Sequence, residues 1–323
     1  MHMRTKKWAR PELAACPFYI NQEGVDETLR GTWKARFAHP ERPLHMEMGC
    51  GKGVSTAKMI ADHPEINYIV CDMSPDVLGT ARRNMEEACG GSPDNVLILR
   101  ADICFIHRVF GPEDAAERIY IHFCNPWTEH PKQAKRRLTH PRQLMQYREF
   151  LSDGGEIWLK TDDDTLFEES LVYFDLCGFE TVWRTGDLHR AERGMGDSDM
   201  GHTGDLHGAE RPRGMSATVP SEDEPGEYDP MIRYISEHEQ KYMEMGVPIK
   251  AGIFRKADLA EGFDPTRYRL TPGVKKEALK RLGWAYGAQA PVEPALVCRL
   301  QWSLRWIAGA SGAFVESGSF RSK

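Results

Sequence analysis

An acid stands two residues ahead of three glycines at alternate positions: Glu47, Gly49, Gly51 and Gly53, within LHMEMGCGKG at 44–53. Leu44, Met46 and Met48 alternate with more polar neighbours as a half-buried strand does, and Val54–His63 then reads as a helix. The glycines let the chain turn tightly at the strand end and leave no Cβ between backbone and a flat ligand. About twenty residues further on, the apolar run Tyr68–Cys71 ends in Asp72, an acid placed to accept hydrogen bonds from two ribose hydroxyls. Nicotinamide enzymes share this logic, but their fingerprint has glycine where this chain has Val54, and they hold a pyrophosphate that Glu47 would repel. An acid there attracts a cationic amino-acid group instead. The pattern reads as a site for S-adenosylmethionine, with Glu47, Gly49, Gly51, Gly53 and Asp72 as its cofactor-binding residues.

A second constellation, Asn125-Pro126-Trp127, follows the apolar run RIYIHFC at 118–124. Methyl transfer from a sulfonium needs a nucleophile held in line in a water-poor site, and positioning supplies most of the catalysis. A side-chain amide, a backbone-fixing proline and an indole suit a flat base: Asn125 meets its edge and Trp127 offers a stacking face. The plain structural alternative is a proline turn capped by asparagine with a tryptophan in the core.

The elements that must position these groups alternate. Candidate strands are Leu44–Met48, Asn67–Asp72, Asn95–Arg100, Arg118–Cys124, Glu156–Thr161 and Glu180–Arg184. Helical patterns lie at Val54–His63, Pro75–Cys89, Pro141–Leu151 and Thr165–Cys177; in the third, Leu144, Tyr147 and Leu151 share one face. Alternation of this kind predicts an α/β fold, a doubly wound, mainly parallel sheet with helices on both faces. Ligands bind such sheets at the carboxyl ends of the strands. Those ends carry Glu47 and Gly49, Asp72, Asp102, Asn125 and Asp162, polar groups that a purely structural turn does not require.

Bulk properties bound the rest. The 323 residues can bury a full core as one large α/β domain with appendages. Eight cysteines include no C-x-x-C pair, and several sit in apolar runs, as reduced thiols of a cytoplasmic protein do. Neither a signal peptide nor a membrane-spanning stretch is apparent. The net charge of −6 does not advertise a nucleic-acid binder, but its distribution is uneven. Arg4, Lys6, Lys7 and Arg10 form a basic arm, and Lys132, Lys135, Arg136, Arg137, Arg142 and Arg148 crowd the stretch after the Asn-Pro-Trp turn. That second cluster leads away from the presumed catalytic loop, where phosphates of a nucleic-acid substrate would lie. Acidity comes from SEDEPGEY at 221–228 and from Asp162–Asp164.

With these motifs on the page, the chain resembles the bacterial tRNA (guanine-N7)-methyltransferases, class I enzymes with a Rossmann-like fold. The matching stretches are MHMRTKKWA, GTWKARF, HMEMGCGKG, NYIVCDMSPDVL, RIYIHFCNPW, KRRLTHPRQL, GGEIWLKTDDDTLFEESL, the DLH of Asp187–His189 and ISEHEQKYMEMGVPIK. The resemblance implies methylation at N7 of the variable-loop guanine 46 of tRNA, with S-adenosylmethionine as donor and S-adenosylhomocysteine as product. It implies cofactor contacts from Glu47, Asp72, Asp102 and Asn125, and contacts to the tRNA from Asp162, Ser236 and Glu239. Two departures stand out. The family has aspartate, treated as catalytic, where this chain has Asn125. Guanine N7 has no proton to lose, so no general base is needed, and the Asn125 oxygen can still accept from the base edge. The family also has a lysine soon after the tryptophan; Glu129 holds that register here, and Lys132 is the substitute.

Residues 190–232 are odd. TGDLHRAERGMGDSDMGH at 185–202 is echoed by TGDLHGAERPRGM from Thr203, in a polar, glycine-rich stretch expected to be a disordered insertion grown by duplication. His189, His202 and His207 with nearby aspartates read as a polar loop rather than a metal site, and the first DLH copy is the family's. The expected organisation is a basic arm and lead-in over 1–43, the methyltransferase domain over 44–255, and an extension over 256–323. Within the extension, Pro272–Trp284 and Val297–Ile307 have helical patterns. No metal is expected; tRNA is the partner, with a monomer or homodimer as the assembly. Two other readings remain open: a base-amino or small-molecule methyltransferase, and a non-catalytic tRNA-binding relative.

Overall fold

The computed structural model describes residues 5–21, 27–189, 233–259, 264–268 and 270–284. Eight strands are hydrogen-bonded into one sheet: β1 (Tyr19–Asn21), β2 (Leu44–Met48), β3 (Asn67–Asp72), β4 (Val96–Arg100), β5 (Ala116–His122), β6 (Leu151–Thr161), β7 (Phe179–Thr185) and β8 (Lys250–Lys256). Their spatial order is β1-β4-β3-β2-β5-β6-β8-β7. Every neighbour pair from β1 to β6 is parallel, and β8 runs antiparallel between β6 and β7. The sequence reverses direction on either side of β2, so the switch point of this doubly wound sheet lies between β2 and β5. This is the Rossmann-like arrangement expected.

The helices follow their local signals. α1 is Ala9–Ala14, α2 Val54–Asp62 and α3 Pro75–Cys89. α3 starts with proline at its first turn and stops at Gly90, whose φ of 68° is left-handed. α4 is Pro141–Phe150 and α5 Asp164–Leu176, the latter capped by Asp163 accepting from the Leu166 amide at 2.7 Å. α6 is Glu237–Glu244 and α7 Pro272–Arg281. α1, α2 and α3 pack as a group, and α4 packs with α5, which also covers β6, β7 and β8. The inner strands β3 and β4 are nearly continuous apolar runs, and β2, expected to be half-buried, is buried at every position, His45 and Glu47 included, as a sheet covered on both faces demands.

The expected strands and helices are present with small changes of boundary; β6 begins at Leu151, ahead of the expected Glu156. Not anticipated were β1, α1, α6 and β8. Gly252 in β8 has a reason: a Cβ there would meet the Phe254 ring at 2.7 Å, and that ring stacks on Phe174 with centroids 3.8 Å apart.

Residues Lys7–Tyr286 form one compact unit, so the boundaries expected at 43/44 and 255/256 fall inside it. The lead-in is core: Trp33 is fully buried and donates its indole N–H to the Val109 carbonyl at 2.9 Å. The extension's first helix also belongs to the body. Leu279 of α7 is fully buried, Lys275 pairs with Glu168 of α5 at 2.6 Å, and Trp284 meets Phe167 edge-on. Of the second unit, residues 1–6 and 287–323, only Thr5 and Lys6 are described. The 190–232 insertion, the second DLH copy and the 297–307 pattern lie outside the described residues. Among the described residues no helix is long and apolar enough to cross a membrane.

Candidate active site

Five neighbouring strands, β4-β3-β2-β5-β6, end in one row. Their carboxyl ends carry Asp102, Asp72, the glycine turn, Asn125 and Asp162 in that order. At about 4.8 Å between strands, the row spans about 19 Å. Sheet topology thus collects residues that are far apart in sequence.

At the centre, β2 ends in the glycine turn. Gly49, Gly51 and Gly53 all have left-handed φ values of 85°, 56° and 63°, which side-chain-bearing residues rarely adopt. The turn is tied to the end of β3: the amides of Gly49 and Cys50 donate to the Cys71 carbonyl at 2.9 and 3.0 Å. The Gly51 amide donates to Asp72 Oδ2 at 3.2 Å, and the Ser74 amide to Oδ1 at 2.9 Å. Asp72 is thereby aimed along the strand end, with the Met73 amide as a third donor and acceptor capacity left over. Burial raises its pKa and these amides oppose the rise. A Cβ on Gly51 would meet nothing within 4 Å, so this residue faces open space beside the turn.

Glu47 lies beneath the turn, buried in β2, with Oε2 accepting from the Thr56 hydroxyl of α2 and Oε1 3.8 Å from His122 Nδ1. Burial pushes its carboxyl pKa up to about 7, against the pull of the Thr56 hydroxyl and the Lys160 charge. Burial also pushes His122 well below the usual imidazole range, so that ring is neutral. An acid held in this way lacks a full counter-charge, and a ligand ammonium fits that need. Asp102 is exposed past β4, where Oδ1 caps the following turn by accepting from the Cys104 amide at 2.9 Å.

Past β5 comes the Asn-Pro-Trp turn. Asn125 Oδ1 accepts from the Trp127 amide at 3.1 Å, which closes the turn on the asparagine side chain. Aspartate offers the same acceptor, so the Asp-to-Asn difference preserves this local geometry. Trp127 is half-buried and has a left-handed φ of 46°; the Arg136 guanidinium lies 4.9 Å from its ring centroid. Lys132 is exposed in the short helix Pro131–Arg136 that follows. Of the basic cluster, Lys132, Lys135, Arg136 and Arg142 face solvent. Arg137 and Arg148 do not serve a phosphate surface: Arg137 is buried, and Arg148 donates to the carbonyls of Cys177, Gly178 and Ala257.

Asp162 follows β6 half-buried, and its backbone carbonyl accepts from Lys250 Nζ at 3.0 Å. Ser236 caps α6, accepting from the Glu239 amide at 3.2 Å. Lys52 of the glycine turn pairs with Glu237 at 2.5 Å, which brings the first turn of α6 to the same edge. Glu239 differs from its expected place. It is fully buried, with Oε2 2.7 Å from Lys160 Nζ and Oε1 2.8 Å from His189 Nε2. Its carboxylate is used inside the protein rather than offered to a substrate.

Two participants, His122 and Lys160, escaped the sequence reading, and Arg137, expected as a surface cation, is buried. His122 and Lys160 share a signal, a basic residue inside an apolar strand run, on the same face as Glu47. Burial lowers the Lys160 pKa and the Glu239 carboxylate resists that fall.

Known proteins resemble this chain. A family described as putative methyltransferases matches residues 41–192. A tRNA (guanine-N(7)-)-methyltransferase of Clostridium perfringens is 50% identical over 194 residues, 59% of this chain and 87% of the relative. One from Clostridium beijerinckii is 46% identical over 195 residues, covering 59% and 87%. One from Ruminiclostridium cellulolyticum is 42% identical over 202 residues, covering 61% and 83%. The chain belongs to the tRNA (guanine-N(7)-)-methyltransferase family.

Proposed function

We propose that this chain transfers a methyl group from S-adenosylmethionine to N7 of a guanine in tRNA, at the variable-loop position 46. The observation that carries the reading is the shared edge: Glu47, the glycine turn, Asp72, Asn125 and Asp162 stand on adjacent strand ends, in a chain 50% identical over 194 residues to a tRNA (guanine-N(7)-)-methyltransferase. The residues present fit the cofactor. Glu47 is a buried acid without a full counter-charge, suited to an amino-acid ammonium, and Asp72 keeps lone pairs for ribose hydroxyls. The open space at Gly51 lets a ligand approach the backbone closely. Asp102 and Asn125 complete the set of cofactor contacts, and the bound cofactor supplies an electrophilic sulfonium methyl.

The protein's own work is orientation. Asn125 holds the guanine edge with its remaining lone pair, and Trp127 packs against the base. No residue needs to take a proton, since N7 presents an in-plane lone pair. Asp162 and Ser236 meet the tRNA on the β6 and α6 side, and Lys132 with its exposed basic neighbours meets phosphate. Glu239 acts through Lys160 and His189 by holding α6 in place.

Labelled S-adenosylmethionine with unmodified tRNA, followed by nucleoside analysis, tests the proposal. Label in N7-methylguanosine is the expected result; label in methyladenosine or methylcytidine would point to a different base specificity. Asn125 alone favours the second reading, a tRNA binder without catalysis, and tRNA binding with no labelled product is its signature.

A further inference from the structure

The Asn-Pro-Trp turn begins and ends in unfavourable backbone. Phe123 and Trp127 both have left-handed φ, 51° and 46°, a region that disfavours residues with a Cβ and most of all bulky ones. Such a turn persists only when its surroundings hold it. One end is held by the sheet: the Phe123 amide donates to the Lys160 carbonyl of β6 at 2.8 Å. At the other end, Asn125 supplies only a bond within the turn itself.

Beside the Arg136 guanidinium over the Trp127 ring, the hydrogen-bonded external hold on the turn backbone comes from Arg137. Its side chain is only 4% exposed, and Nε donates to the Pro126 carbonyl at 2.6 Å while Nη1 pairs with Glu169 on α5. The next residue of α5 repeats the stitch: the hydroxyls of Thr139 and Ser170 are 2.6 Å apart, and Ser170 donates on to the Leu166 carbonyl. The 137–139 segment is therefore fastened to α5 through Glu169 and Ser170, and the Arg137 guanidinium links it to the Pro126 carbonyl of the turn.

We infer that Arg137 is a positioning residue for methyl transfer, a buried latch that fixes the Asn125-Pro126-Trp127 turn to α5 and sets where Asn125 points. The inference rests on the functional reading above. It requires arginine in particular. A guanidinium sends donors in two fixed directions, to a carbonyl and to a carboxylate, whereas lysine is a point charge on a flexible stem that cannot reproduce both. Without the latch, strain in the turn is relieved by movement of the base-holding side chain.

The experiment compares wild type, Arg137→Lys and Glu169→Gln in two ways. The first is the single-turnover rate with saturating tRNA and cofactor, alongside S-adenosylhomocysteine affinity. The second is hydrogen exchange of peptides spanning 123–128, which reports on the Trp127 amide without any need for activity. Arg137→Lys is expected to lower the rate about tenfold to a hundredfold, the scale of a small misplacement of a reacting group. Cofactor-product affinity and exchange in β2 and β3 stay unchanged, while the 123–128 amides exchange faster. Glu169→Gln, which keeps the Pro126 bond and loses the ion pair, shifts both readouts the same way by less, and it serves if the lysine variant fails to fold. Wild-type exchange at 123–128 in a folded Arg137→Lys or Glu169→Gln protein would overturn the latch. So would a rate loss that only tracks the unfolded fraction. A wild type that methylates nothing, yet shows the same local exchange differences, would sink the functional reading and leave the latch standing.

Discussion

In the proposed function, Asn125 orients the base and Glu47 meets the cofactor's ammonium. Asn125 keeps the turn that an aspartate would make, because only a side-chain oxygen accepting from the Trp127 amide is required. Asn125→Asp is accordingly expected to retain or raise the single-turnover rate, since it adds an anion near the positive charge passing from sulfur to base. Asn125→Ala is expected to raise the barrier by about 1–3 kcal/mol through lost base-edge contacts. An inactive wild type restored by Asn125→Asp would show that the carboxylate does more than orient. For Glu47 the sign runs through protonation. Its pKa rises from 4.5 to about 7 on folding, so the folded chain holds a proton that the unfolded chain has released. That contribution to stability is complete below pH 4.5 and is lost as pH rises through about 7. Denaturation midpoints from pH 5 to 8 should therefore fall more steeply for wild type than for Glu47→Gln; parallel curves would refute the buried, raised acid. Ligand binding has the opposite slope, because an ammonium prefers ionised Glu47. S-adenosylhomocysteine should bind more weakly as pH drops below 7 and should release a proton on binding, measurable by calorimetry in two buffers of different ionisation enthalpy.

Among the elements, α6 depends most on a single interaction. Lys160 in β6, with Glu239 and His189, forms a buried ionic cluster that fastens α6 and the first DLH copy to the sheet. Removing one partner of such a pair leaves an uncompensated charge, so Lys160→Met is expected to cost about 3–5 kcal/mol, read from denaturant midpoints. A loss well under a kilocalorie would mean that the cluster is wet and not structural. The strands and helices from Leu44 to Cys177 were legible in the sequence because each carries its own periodicity and its own cap. β8 was not, for a topological reason. It lies after the 190–232 stretch yet inserts between β6 and β7, and Lys250, Gly252 and Arg255 break its apolar pattern. The strand-end acids could be read because a polar residue closing an apolar run is a local signal. The burial of Glu239 could not, since its partners Lys160 and His189 are distant in sequence and only the fold brings them together. α7 shows the same limit: its helical pattern was visible, but its docking on α5 through Leu279 and Trp284 was not.

At the scale of the whole molecule, a net charge of −6 coexists with a basic surface at one edge of the sheet, formed by Lys132, Lys135, Arg136 and Arg142. If these groups meet phosphates, tRNA affinity should fall linearly on a log–log plot against salt. Each charge removed from the patch should flatten the slope by about 0.7–0.9. Lys132→Ala with Arg142→Ala should show this, and an unchanged slope would move the tRNA elsewhere. In the proposed function, the patch, the Asn-Pro-Trp turn and the strand-end acids together point one substrate at one reacting atom. Chemical mapping of the product tests that most directly. N7-methylguanosine becomes a cleavage site after borohydride reduction and aniline treatment, so a treated tRNA transcript reports which base was methylated. The account predicts one new cleavage, at guanine 46 of the variable loop, dependent on both protein and S-adenosylmethionine and absent when that guanine is replaced by adenine. Methyl incorporation without cleavage, or cleavage scattered over other guanines, would contradict it.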